Sequence, residues 1–138
     1  MQKITNLYDV LIVGAGPAGS NAAISYKKLN PELKVGLIDK SIFPRDKSCG
    51  DAIGPGVISA LKRFNNEHIL ENEPQVVSTT LYGPDNIGIQ NYIPKVKNKE
   101  DSIVYVIPRV DLDNRILSLA KDLDCLLYTS PSPRDDGV

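Results

Sequence analysis

The alternation of apolar and polar residues divides the chain into short elements. Residues 8–13, YDVLIV, are a short apolar run that stops at glycines, the pattern of a buried parallel strand. Residues 17–29 predict a helix. Ala18, Ala22 and Tyr26 recur at four-residue spacing, with Ser25 and Leu29 alongside. Pro17 suits the first turn, and Asn30-Pro31 ends the pattern. KVGLI, residues 34–38, predicts a second strand. Strand, helix and strand within about thirty residues fit a βαβ unit, whose crossover handedness makes the strands parallel. Residues 40–56 have neither period and predict a long polar loop. A helix is expected over 57–65, with Val57, Ile58, Leu61 and Phe64 on one face. Two strands are expected over 75–93 around Gly83-Pro84-Asp85-Asn86, and a charged loop over 95–101. A further strand is expected over 102–107. The last helix is placed at 112–123, with Leu112, Ile116, Leu119, Ala120 and Leu123 inward and Asp111 as its cap.

Composition narrows the function classes. Of 138 residues, 16 are basic and 17 acidic, for a net charge of −1, so the basic surplus of a nucleic-acid binder is missing. No apolar run is long enough to cross a bilayer, and the first apolar run breaks into glycines where a signal peptide would continue; the chain is read as cytoplasmic. Two cysteines, Cys49 and Cys125, make no disulfide framework. The single histidine, His68, lies in the polar stretch NNEHILENE and reads as a solvated loop residue, so no metal site is expected.

Candidate chemistry concentrates at Gly14-Ala15-Gly16-Pro17-Ala18-Gly19. This G-x-G-x-x-G follows a predicted strand and opens a predicted helix, the context a phosphate-binding turn requires. Gly14 allows the tight turn, Gly16 lets a pyrophosphate approach the backbone, and Gly19 lets helix and strand pack closely. The helix N-terminus offers N–H groups and a positive dipole end to phosphate. Asp39 ends the second strand twenty residues after Gly19, where a carboxylate accepts hydrogen bonds from ribose hydroxyls and repels a 2′-phosphate. FAD and NAD both use such a turn, and these features do not separate them.

The wording DVLIVGAGPAGSNAA resembles the N-terminus of FAD-dependent oxidoreductases of the p-hydroxybenzoate-hydroxylase-like superfamily. The loop FPRDKSCGD, residues 43–51, is similar to the P-R-x-K-x-C-G stretch of the geranylgeranyl reductase family within it. The resemblance implies a Rossmann-like FAD-binding fold in the α/β class, a βαβ with a parallel sheet, followed by the start of a β-rich substrate region. The domain is read as incomplete. Residues 1–124 are expected to be the N-terminal part of the FAD-binding domain, with 66–100 as a β-hairpin insertion.

The implied cofactor contacts are Gly14, Gly16, Pro17, Ala18, Gly19, Asp39, Lys40, Arg45, Cys49, Gly50 and Arg109. Arg45 is placed near the phosphates or adenosine. Cys49-Gly50 is placed near the isoalloxazine or substrate, with Cys49 as the candidate catalytic residue. Arg109 opens IPRVDLDNRILSLA, which resembles the family's R-x-x-x-D-x-x-L helix start; the alternative for it is pairing with Asp111 or Asp113.

By resemblance the activity is reduction of prenyl double bonds in an apolar, isoprenoid-like substrate. NAD(P)H or a ferredoxin-like donor would supply the electrons, and contact with a membrane would be peripheral. The alternatives are a flavin monooxygenase and a non-catalytic nucleotide-binding module. Family members run much longer, so this chain alone is expected to be inactive. Residues 125–138, CLLYTSPSPRDDGV, resemble a tail that recurs at the ends of unrelated translated sequencing fragments. They are expected to be non-native or disordered, with no role for Cys125.

Overall fold

A computed structural model describes residues 8–92 and 103–129. The chain forms two compact units. The first joins the described residues up to Ser48 with those from Arg109 onward; the second runs from Cys49 to Pro108.

The first unit is the expected βαβ. Strand β1, Val10–Val13, lies parallel to β2, Val35–Asp39, in the register Val10 to Val35 through Val13 to Ile38. Helix α1, Pro17–Leu29, connects them, with Pro17 in its first turn and Lys27 and Lys28 in its last, where cations complement the helix dipole. Its small residues Ser20 and Ala23 and its Ile24 are fully buried. Helix α3, Arg109–Lys121, packs beside α1 and buries Leu112, Ile116, Leu117 and Ala120. Each fully buried aliphatic side chain of this core, such as Ile24, Leu37, Ile116 and Leu117, contributes about 1.5–3 kcal/mol.

Two expectations for this unit are corrected. Helix α3 begins at Arg109, directly after Pro108, so Asp111 lies within the first turn rather than capping it; there its charge faces the dipole's positive end. Residues 125–129 are not part of a disordered tail. Leu126–Thr129 form β7, parallel to β2 in the register Gly36 to Leu126 through Asp39 to Thr129, so among the described residues β2 is the central strand of three. Cys125 is buried ahead of it, and burial pushes its thiol pKa up, with nearby Lys27 opposing and Asp124 adding to the effect. The remaining tail positions, 130–138, fall outside the described residues. On one face of this sheet the Tyr8 and Tyr128 rings meet edge to face, 6.0 Å between centroids, and their hydroxyls hydrogen-bond.

The second unit is built on shorter pieces. Ala52–Ile53 form β3, a strand inside the segment expected to be loop throughout. It pairs antiparallel with β6, Tyr105–Val106, the remnant of the strand expected over 102–107. Pro74 and Val76 bond to β6 and the residue before it, through Val106 N–H to Pro74 O and Val76 N–H to Val104 O. Helix α2, Pro55–Lys62, starts two residues earlier than its apolar face predicted. It buries Ile58 and Leu61 with Ile53, Leu70 and Ile107; Val57 is exposed. His68 is exposed in a 3₁₀ turn, Glu67–Leu70. β4, Ser78–Tyr82, and β5, Gly88–Tyr92, form the expected antiparallel hairpin, closed by Asn86 N–H to Gly83 O and Gly83 N–H to Ile87 O. The charged loop over 95–101 lies outside the described residues. Among the described residues no helix is long and apolar enough to cross a membrane.

Candidate cofactor site

The glycine turn joins β1 to α1, and each of its glycines has a separate physical reason. Gly14 takes φ of +100°, a conformation side-chain-bearing residues rarely adopt. A Cβ at Gly19 would stand 1.8 Å from the Gly14 carbonyl oxygen, so helix and strand approach this closely only with glycine. A Cβ at Gly16 would come 3.3 Å from Nη2 of Arg45. A guanidinium thus lies over the middle glycine.

The turn is tied down on both sides. Gly14 N–H donates to Ile38 O at 2.6 Å, and Ala15 N–H donates to Oδ2 of Asp39 at 2.8 Å. The Ala15 carbonyl accepts from the fully buried Ser20 hydroxyl at 2.9 Å. The other Asp39 oxygen accepts from Ser41 N–H at 2.8 Å. Asp39 therefore faces the turn from the end of β2 and is nearly buried, at 9% exposure. Each of its oxygens keeps acceptor capacity beyond one backbone bond. Ser20 was not singled out from sequence; its only signal is a small polar residue directly after the third glycine.

Above the turn is a cleft of ≈ 540 Å³ lined by Val13, Gly14, Ile38, Asp39, Lys40, Ser41, Arg45, Asp46 and Lys47. Gly16 is the N-cap of α1; no side chain caps it, and the first turn holds no acidic residue. The leading N–H groups and the dipole are thus left for an anion. Arg45 stacks on Phe43, 4.9 Å from ring centroid to guanidinium carbon, and reaches Oδ2 of Asp113 with Nη1 at 3.4 Å. Arg109 holds the same carboxylate more closely, Nε to Oδ1 at 2.7 Å and Nη2 to Oδ2 at 3.1 Å. Asp113 is fully buried and forms an ion pair with Arg109.

The first unit thus brings together Gly14, Gly16, Pro17, Ala18, Gly19, Asp39, Lys40 and Arg45, with Arg109 joined through Asp113. Cys49 and Gly50 open the second unit, where Cys49 is exposed and outside any disulfide. The donor set fits a dinucleotide: a glycine cradle that a Cβ would fill, an uncapped helix terminus and a guanidinium for a diphosphate, and a carboxylate for a ribose. Among the described residues no group of three His, Cys, Asp or Glu is gathered to hold a metal ion.

No family model matches the chain. It is 34% identical over 114 residues to a menaquinone reductase of Mycolicibacterium smegmatis, covering 83% of this chain and 27% of that protein. It is 48% identical over 128 residues to conditioned medium factor receptor 1 of Dictyostelium discoideum, covering 84% and 24%. It is 30% identical over 114 residues to a digeranylgeranylglycerophospholipid reductase of Picrophilus torridus, covering 82% and 27%. The chain thus spans about a quarter of the length of these relatives. Among solved structures, p-nitrophenol 4-monooxygenase from Pseudomonas putida matches 89% of this chain and 32% of its own, with a TM-score of 0.75 and 15% identity. The mixed α/β architecture with its parallel sheet matches part of the fold of FAD-binding oxidoreductases.

Proposed function

We propose that this chain is the adenosine- and diphosphate-binding part of a flavoenzyme that reduces carbon–carbon double bonds of an isoprenoid substrate. The observation that carries the cofactor half of this reading is the convergence at one cleft of the Gly14–Gly19 turn, the Asp39 carboxylate and the Arg45 guanidinium. The substrate half is supported by relatives named menaquinone reductase and digeranylgeranylglycerophospholipid reductase.

Bound FAD would supply hydride transfer, while the protein supplies orientation and electrostatics. The chain's own contribution is binding. The α1 N-terminus and Arg45 would hold the diphosphate, Asp39 the adenosine ribose, and Lys40 would add positive charge at the cleft. Arg109 would act from the start of α3, and Cys49 with Gly50 would contact the flavin ring or substrate.

The deciding experiment is anaerobic turnover of the full-length, flavin-loaded protein with a geranylgeranyl lipid and a chemical reductant. Saturation of the prenyl double bonds without oxygen is the expected result. Product formed only with oxygen consumption makes the protein a monooxygenase, and bound nucleotide with no turnover of either kind makes it a binding module.

A further inference from the structure

Asp113 is the fully buried carboxylate on which Arg45 and Arg109 meet, from positions sixty-four residues apart in the chain. A buried carboxylate needs such partners, and Arg109 alone already gives it two short hydrogen bonds. The contact from Arg45 is longer, 3.4 Å, and adds little to that. What it does is fix where the guanidinium goes. With Nη1 on Asp113 and its plane over Phe43, Arg45 directs Nη2 to within 3.3 Å of the Cβ position of Gly16, above the uncapped start of α1. Arginine otherwise keeps large rotamer freedom, and an anion that must first order it binds more weakly.

We propose that Asp113 is a positioning residue that holds Arg45 in place over Gly16, so that the guanidinium and the α1 N-terminus form a ready-made clamp for the diphosphate of the cofactor. This rests on the reading of the glycine turn as a dinucleotide site. The proposal has a sign that simple electrostatics does not share. Removing a buried negative charge close to an anion site strengthens anion binding through space. Losing the anchor of Arg45 weakens it.

The test is calorimetric titration of the flavin-free protein with ADP and, separately, with adenosine. The unmodified protein is expected to bind ADP more tightly than adenosine. Asp113→Asn is expected to lose about tenfold or more in ADP affinity, with adenosine affinity unchanged. In an Arg45→Gln background the same substitution is expected to cost ADP binding nothing further. Unchanged or tighter ADP binding by folded Asp113→Asn overturns the proposal, as does an equal loss for ADP and adenosine, or a full loss that persists without Arg45. If Asp113→Asn does not fold, Arg45→Lys decides: it keeps the charge without the planar fork and is expected to lose ADP affinity to a similar extent, and unmodified affinity overturns the proposal. Failure of the unmodified protein to bind ADP removes the dinucleotide reading itself, a different outcome from all of these.

Discussion

Two turns in this protein follow strands of similar length and could hardly be held more differently. The Gly14–Gly19 turn after β1 has its backbone bound by Ile38, Asp39 and Ser20, and at Gly19 it has no space for one more carbon. The Gly83–Asn86 turn after β4 is closed by its own backbone and the Asp85 side chain, and the strands on either side are almost wholly exposed. Leu81, Tyr82, Ile89 and Tyr92 stand 66–71% open. The first turn is shaped by demands from three directions at once; the second satisfies only its own ladder. Substitutions should therefore be felt strongly at the first and weakly at the second.

The largest effect is expected at Gly19. Gly19→Ala puts a carbon into the Gly14 carbonyl, which only a backbone shift can relieve, so a loss of about 3 kcal/mol or more is expected in urea unfolding. A near-neutral Gly19→Ala would mean that α1 and β1 are not packed as described. Next comes Asp39→Ala, which leaves the buried Ala15 N–H without its acceptor. It should cost about 1–3 kcal/mol in the same measurement and weaken adenosine binding as well. Asp39→Ala that keeps full stability would separate the turn from β2 and break the comparison at its stronger side.

How far sequence reaches follows the same division. The βαβ was legible because two apolar runs, a helical period and three glycines each pointed to the same unit, and the Asp39 position follows from strand length. Strands β3 and β6 have two residues each, too few to carry any period, so they surfaced only as loop or as a longer strand. The start of α3 was misplaced because the apolar pattern begins at Leu112, whereas Pro108 allows the helix to begin at Arg109. Strand β7 was hidden by the Pro/Ser composition that follows it. The Arg45–Asp113 contact is non-local and leaves no mark in spacing; Arg109–Asp113, at i and i+4, does.

Gly16→Ala sharpens the comparison by separating binding from folding. Its Cβ would come 3.3 Å from the Arg45 tip, which has to give by only a few tenths of an ångström, and the backbone φ of −68° is open to any residue, so the stability change is expected to stay within about 1 kcal/mol. The same methyl group occupies the approach to the α1 N-terminus and pushes on Arg45. Flavin retained per chain on purification is expected to fall sharply. Full retention would move the diphosphate away from this turn.

The smallest structural effects are expected at Cys49 and Gly50, and there function is the readout. Cys49 is exposed, and a Cβ at Gly50 meets nothing within 4 Å. Cys49→Ala and Gly50→Ala should each change unfolding free energy by no more than about 0.5 kcal/mol, the usual range for surface positions. If these residues border the flavin ring in the full-length enzyme, turnover per bound flavin should drop in both variants while flavin content stays constant. Cys49→Ala removes only sulfur, and Gly50→Ala adds only a methyl group, so the pair distinguishes a chemical need for the thiol from a steric need for space. A turnover loss in Cys49→Ala alone assigns the thiol to the chemistry. A loss in Gly50→Ala alone assigns the segment to the shape of the cavity. Unchanged turnover in both, with the flavin still bound, would leave catalysis to residues other than this pair.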